Sequence, residues 1–96
     1  MTLPAEPGPT ILLDEDDEEA RHALQRDLAA RGYRVDEVAD GTAALARWEA
    51  RRPDAILLDL GLPDMDGAAI IRHVRREALT PILVRSEEHT SELQSR

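Results

Sequence analysis

Residues 55–67 read Ala-Ile-Leu-Leu-Asp-Leu-Gly-Leu-Pro-Asp-Met-Asp-Gly, and this stretch decides the fold. Its first four residues are all apolar, which is typical of a parallel strand that is covered on both faces. The run ends in a carboxylate, Asp59, and the chain then enters a loop rich in glycine and proline. Open parallel sheets bind their ligands beyond the carboxyl ends of the strands. Asp59 is therefore expected at the edge of the sheet where such folds bind their ligands.

The segments on either side of this stretch alternate between short strands and helices. Strands are predicted at 10–13, 33–38, 55–58 and 81–84. Helices are predicted from Glu18 to a stop at Arg31-Gly32, from Asp40 to Arg52, and after Gly67. Each crossover between strands is 10–15 residues long, as a parallel sheet requires. The predicted fold is a three-layer α/β domain with the order βαβαβαβ.

Composition sets limits on what the chain can do. A chain of 96 residues makes one small domain, and its net charge of −8 argues against direct binding to nucleic-acid phosphates. The chain has no cysteine, which excludes disulfides and thiolate chemistry and fits a cytoplasmic protein. No apolar run approaches the roughly 20 residues of a membrane span. All 12 basic residues are arginine, so mechanisms that require a lysine are excluded.

Carboxylates follow two of the predicted strands. Glu15 and Asp16 come after the first strand, and Asp59 ends the third. If these strands are neighbours, the carboxylates converge and repel one another unless a cation bridges them or they are protonated. A site of oxygen ligands favours a hard cation, Mg²⁺ above all. A carboxylate at such a metal can attack a phosphoryl group.

Three motifs carry a resemblance to a known family: Ile-Leu-Leu-Asp-Glu-Asp-Asp at 11–17, the stretch 55–67, and Pro-Ile-Leu-Val at 81–84. The chain resembles a response-regulator receiver domain of the CheY-like superfamily. More closely, it is similar to receivers of OmpR-type winged-helix transcription regulators, including the KdpE-like regulators of potassium-transport operons. The resemblance covers residues 10–84. It implies a flavodoxin-like sheet of strand order 2-1-3-4 that is truncated after the fourth strand.

The resemblance also implies roles for particular residues. Asp59 would accept a phosphoryl group from a sensor histidine kinase. Asp16 would bind Mg²⁺ directly, Glu15 would act partly through water, and the backbone carbonyl of Gly61 would complete the protein ligands. Ser86 aligns with the switch hydroxyl that follows the fourth strand in the family. The protein would thus be a phosphorelay switch and not an enzyme with its own substrate.

The chain departs from the family pattern at several points. Asp14 stands where receivers have an apolar residue, and an unpaired buried carboxylate would cost several kcal/mol or raise its own pKa. The fifth strand with its phosphate-contacting lysine is missing, as are the fourth and fifth helices that form the usual dimer surface. We therefore expect marginal stability, aggregation at the exposed strand edge formed by residues 81–84, or a molten state.

The sequence divides into a flexible leader at 1–9, a partial receiver domain at 10–84 and a tail at 85–96. The tail contains every serine of the chain and no alanine. Residues 85–95 resemble the translation of a widely used DNA-sequencing adapter, codon for codon. We hypothesise that the native reading frame ends near Val84 and that the tail is not native sequence.

Two alternatives to a working phosphoacceptor stay open. The chain could be a receiver remnant that is inert or only binds proteins and cannot switch. It could also be a Mg²⁺-dependent phosphohydrolase with an aspartate nucleophile. That chemistry normally requires a second aspartate two residues after the nucleophile, where this chain has Gly61. DNA would be contacted only through a C-terminal domain of the full-length parent, and we expect no membrane partner.

Overall fold

The computed structural model of the chain describes residues 8–85. Four strands alternate with three helices within this range. They are β1 Thr10–Asp14, α1 Glu18–Ala30, β2 Arg34–Val38, α2 Gly41–Ala50, β3 Ala55–Asp59, α3 Gly67–Arg75 and β4 Ile82–Arg85. None of the described helices is long and apolar enough to cross a bilayer.

The four strands form one parallel sheet in the order β2-β1-β3-β4. β1 is central and pairs with β2 on one side and with β3 on the other. Leu13 lies beside Leu57, and Leu58 lies beside Val84 on the far side of β3. The predicted fold class and the predicted strand order are both confirmed.

The apolar strands separate two clusters of buried side chains, one on each face of the sheet. The larger cluster lies between the sheet and helices α2 and α3, with Trp48 and Leu58 fully buried in it. On the opposite face, Leu24 and Leu28 of α1 pack against Ile11, Leu13 and Leu57. This arrangement explains why β1 and β3 are apolar at successive positions, because both faces of each strand are covered.

Short polar side chains start each helix. Asp17, Asp40 and Asp66 are the N-caps of α1, α2 and α3, and each side chain accepts a hydrogen bond from a backbone N–H in the first turn. Gly32 follows α1 with a φ of 98°, the left-handed conformation that glycine adopts without steric cost. Helix α2 ends at Ala50, two residues before the predicted end at Arg52. Pro53 therefore lies three residues after the end of the helix.

Among the described residues, β4 forms one edge of the sheet. Leu83 points away from the larger core and is 49% exposed, although Ile82 and Val84 on either side are buried. An exposed leucine on an edge strand is a place where other strands can pair.

Candidate functional site

The carboxyl ends of β1 and β3 bring three carboxylates together. β1 ends at Asp14, so Glu15 and Asp16 follow its last residue, and Asp59 is the last residue of the neighbouring β3. One oxygen from each of Glu15, Asp16 and Asp59 lies within 4.8 Å of the other two. Glu15 and Asp59 are buried, whereas Asp16 is exposed. We call these three residues the acidic site.

Backbone N–H groups orient two of these carboxylates. The N–H of Gly61 donates a hydrogen bond to Oδ1 of Asp59 at 3.1 Å. The N–H of Asp17 donates to Oε2 of Glu15, also at 3.1 Å. Each carboxylate therefore keeps at least one oxygen free of these backbone bonds. Carboxylates that bind a metal ion are commonly held by hydrogen bonds of this kind.

The electrostatics of the acidic site favour a bound cation. Burial raises the pKa of the Glu15 carboxyl above its ordinary value, and the negative charge of Asp59 raises it further. Arg85 at the end of β4 supplies one positive charge, since its Nη1 lies 3.8 Å from Oε1 of Glu15. Arg21 lies nearby as well, since its Nη1 donates to the backbone carbonyl of Glu15 at 3.0 Å, but its Nε is paired with Glu37. Among the described residues, the ion pair that reaches the acidic site itself is therefore that of Arg85, and three carboxylates facing one paired guanidinium favour a further cation.

Asp14 is the most unusual group near the acidic site. It is 1% exposed, and neither carboxylate oxygen has a hydrogen-bond partner among residues 8–85. The pKa of Asp14 is raised to about 8, mainly by burial and to a smaller extent by the negative charges of Asp40 and Asp64. The expectation that a carboxylate at this strand end would perturb its own pKa is confirmed.

The loop between β3 and α3 is attached to the start of α2. Asp64 accepts hydrogen bonds from the N–H of Gly41 at 2.8 Å and from the N–H of Thr42 at 2.9 Å. The Thr42 hydroxyl donates to the same carboxylate at 2.6 Å. These donors hold the pKa of Asp64 below its ordinary value, the Thr42 hydroxyl most of all. Met65 in the same loop packs against the larger core.

The predicted site residues are thus distributed as follows. Glu15, Asp16 and Asp59 lie together, and Gly61 lies beside them through its hydrogen bond to Asp59. Ser86 falls outside the described residues. His73 is a surface histidine with partners: its Nε2 lies 2.9 Å from Glu49, and its ring meets the edge of Trp48.

Two contacts were not anticipated from the sequence. One is the ion pair between Arg85 and Glu15, and the other is the attachment of Asp64 to α2. The register that places Arg85 opposite Asp59 could signal the first contact once the sheet order is known. Asp64 carries no comparable signal, because its donors lie 22 and 23 residues away in the chain.

Fold and site together define a flavodoxin-like α/β domain with an acidic site at the carboxyl ends of two neighbouring central strands. The family model described as "Response regulator receiver domain" matches residues 11–96. The chain therefore belongs to the response regulator receiver domain family.

Individual relatives point in the same direction. The chain is 41% identical over 76 residues to transcriptional regulatory protein AfsQ1 of Streptomyces coelicolor, covering 79% of this chain and 34% of that protein. It is 41% identical over 81 residues to the KDP operon transcriptional regulatory protein KdpE of Escherichia coli, covering 81% of this chain and 36% of the relative. The expected similarity to KdpE-like transcription regulators is confirmed.

Solved structures share the fold. The chemotaxis response regulator CheY4 of Vibrio cholerae superposes with a TM-score of 0.77 at 32% identity, covering 80% of this chain and 67% of that one. The chain spans about a third of the length of the curated relatives it matches.

Proposed function

We propose that this chain is the phosphoacceptor module of a two-component response regulator, with Asp59 as the residue that takes the phosphoryl group. The observation that carries the proposal is the convergence of Glu15, Asp16 and Asp59 at the carboxyl ends of two paired strands. The donor would be a sensor histidine kinase. Family membership supports this assignment, because the family is that of response regulator receivers.

The acidic site fits Mg²⁺. Its donors are carboxylate oxygens from three side chains, and Mg²⁺ prefers oxygen ligands, commonly with several water molecules in addition. Asp16 and Asp59 would bind the ion directly, Glu15 partly through water, and the Gly61 carbonyl would complete the protein ligands. When bound, the ion neutralises charge on the transferred phosphoryl oxygens.

Asp59 is oriented for nucleophilic attack by the residues around it. The Gly61 N–H fixes one of its oxygens, which leaves the other available to attack phosphorus. In the transfer, a new bond forms between this oxygen and phosphorus while the bond from phosphorus to the donor histidine nitrogen breaks. The electron pair of the broken bond stays on that nitrogen. Asp59 becomes an acyl phosphate, and no net oxidation occurs.

The consequences of phosphorylation would be read out elsewhere in the parent protein. In the proposal, the switch hydroxyl stands at position 86, which Ser86 of the tail occupies in this chain and which the native residue would occupy if the tail is not native. A downstream DNA-binding domain of the parent regulates transcription in the cytoplasm. The module itself turns over no substrate of its own. The names of the relatives, which are transcriptional regulators, support this reading.

The receiver remnant remains the second candidate, and one observation favours it. The given sequence contains no lysine, so within it only arginine could supply a permanently charged side chain to the phosphoryl group. The phosphohydrolase is disfavoured because Gly61 stands where the second aspartate would be required.

Calorimetric titration with Mg²⁺ separates a working module from a remnant. We expect a binding heat in the intact chain that is lost in Asp16→Asn and retained in Asp54→Asn. Asp54 is a matched control, because it removes one negative charge at the opposite end of the sheet, where its side chain accepts from the N–H of Thr10. No Mg²⁺ heat in the intact chain would favour the remnant.

A further inference from the structure

The loop of residues 60–66 connects Asp59 to α3, and the side chain of Asp64 joins it to α2 through hydrogen bonds. Within residues 8–85, the hydrogen bonds between this loop and α2 all end on Asp64. They come from two backbone N–H groups and one hydroxyl in the first turn of α2. A carboxylate at a helix N-terminus is favourable because it satisfies free N–H groups and meets the positive end of the helix dipole.

The contact is tight as well as polar. A Cβ atom added to Gly41 would lie 2.3 Å from Cγ and 2.7 Å from Sδ of Met65, and 3.2 Å from Oδ1 of Asp64. Glycine at the start of α2 therefore allows the loop to approach the helix backbone. Asp64 supplies the hydrogen bonds, and Met65 fills the space beside Gly41.

This contact lies three residues along the chain from Gly61, whose backbone touches the acidic site. Gly61 donates its N–H to Asp59, so the position of the Gly61 peptide sets the orientation of the Asp59 carboxylate. The backbone from Gly61 to Asp64 passes through Leu62 and Pro63, and Pro63 restricts one of the intervening backbone dihedrals. A shift of the loop at Asp64 is therefore transmitted to Gly61 over a short, partly stiffened segment.

We propose that Asp64 is a positioning residue that latches the β3–α3 loop to the first turn of α2 and so holds Gly61 against Asp59. The inference rests on the proposed function for its effect on Mg²⁺, but the latch itself is a property of the loop. It makes α2, which contributes no ligand, a determinant of metal affinity.

The Thr42 variants open or keep the latch without changing any charge. Thr42→Val removes the hydroxyl that donates to Asp64 and keeps the side-chain shape, whereas Thr42→Ser keeps the donor. Asp64→Ala removes all three hydrogen bonds and one negative charge, so the comparison of the two Thr42 variants decides the proposal. We expect calorimetry to show Mg²⁺ affinity close to that of the unmodified chain in Thr42→Ser and several-fold weaker in Thr42→Val. In Asp64→Ala we expect a loss of roughly tenfold or more, the range seen when partners of metal ligands are removed.

Amide hydrogen exchange in Mg²⁺-free buffer tests the latch independently of metal binding. We expect the Gly61 amide to exchange several-fold faster in Thr42→Val than in Thr42→Ser, while the amide of Leu57 inside β3 exchanges equally in both. A merely structural contribution of Thr42 would accelerate both amides together.

The outcomes separate the latch from the function. Equal Gly61 exchange in the two Thr42 variants would overturn the latch, whatever happens to Mg²⁺. Faster exchange of Gly61 alone, combined with no Mg²⁺ heat in any variant, would support the latch and contradict the proposed function.

Discussion

Asp14 and Leu58 are register partners at the end of the β1–β3 pair, and both side chains are almost completely buried. The chain thus places a carboxylic acid, which has no hydrogen-bond partner in the described part of the chain, beside a fully buried leucine and one residue before the acidic site. Its raised pKa keeps Asp14 largely protonated near neutral pH, which reduces the negative charge at the site but leaves a polar group unsatisfied.

Replacing Asp14 by leucine is expected to stabilise the domain. The substitution removes an unsatisfied buried polar group and restores the apolar residue that the strand end favours, so the free energy of unfolding should rise by about 2–4 kcal/mol at pH 8. Urea unfolding in Mg²⁺-free buffer measures the change. Asp27→Leu on the exposed face of α1 is the control and should change stability by less than about 0.5 kcal/mol. Destabilisation by Asp14→Leu would contradict the account.

The pH dependence of stability should follow from the same residue. The folded state holds the Asp14 proton up to a pH of about 8, whereas the unfolded chain releases it near the ordinary value of 3.8. Between these values the folded state binds more protons, so the free energy of unfolding should decrease as the pH rises from 5 to 8. The slope should be much shallower in Asp14→Leu, with a remainder from Glu15. Equal slopes in the two proteins would show that Asp14 is not the group responsible.

Aggregation should begin at the β4 edge. Leu83 is half exposed on this strand, so Leu83→Lys places a charge where another strand would pair and should slow aggregation measured by light scattering. Leu79→Lys is a matched control, because Leu79 is 87% exposed but lies outside any strand. If Leu79→Lys slows aggregation as much as Leu83→Lys, general surface hydrophobicity and not the strand edge is the cause.

The proposal that residues 85–96 are not native makes a prediction about the gene. Sequencing intact genomic DNA across the Val84 codon should give an apolar residue in place of Arg85 and continue toward a fifth strand that ends in lysine. An uninterrupted natural read from Val84 into Ser86-Glu87-Glu88 would reject the proposal. In that case the ion pair between Arg85 and Glu15 would be a native feature of the acidic site.

Most of the fold could be predicted because local signals agree with the tertiary structure. The apolar runs at 10–13 and 55–58 are too short for helices and are flanked by carboxylates and turn residues, so their strand assignment is secure. The end of α2 was less predictable. Arg51 and Arg52 are good helix formers, but α2 ends at Ala50. Arg52 precedes Pro53, which disfavours a helical backbone at that residue, and its guanidinium lies over the Trp48 ring, 3.7 Å from the centroid.

The acidic site was predictable from strand order, but its surroundings were not. Glu15 and Asp16 follow β1 and Asp59 ends β3, and parallel pairing brings these strand ends to one edge of the sheet without further information. The latch between Asp64 and α2 depends on how two loops meet, which no local pattern encodes. The burial of Asp14 was anticipated only from the resemblance to receiver domains, which have an apolar residue at this position.

Phosphorylation of Asp59 is the most direct test of the proposed function. The chain is incubated with acetyl phosphate and Mg²⁺, and its intact mass is measured alongside Asp59→Asn and the charge control Asp54→Asn. We expect a fraction of the unmodified chain and of Asp54→Asn to gain the mass of one phosphoryl group. That fraction should be small because the chain lacks lysine, and the gain should be absent from Asp59→Asn and from samples with a chelator. Equal labelling of Asp59→Asn, or no labelling of the unmodified chain, would contradict the assignment of Asp59 as the phosphoacceptor.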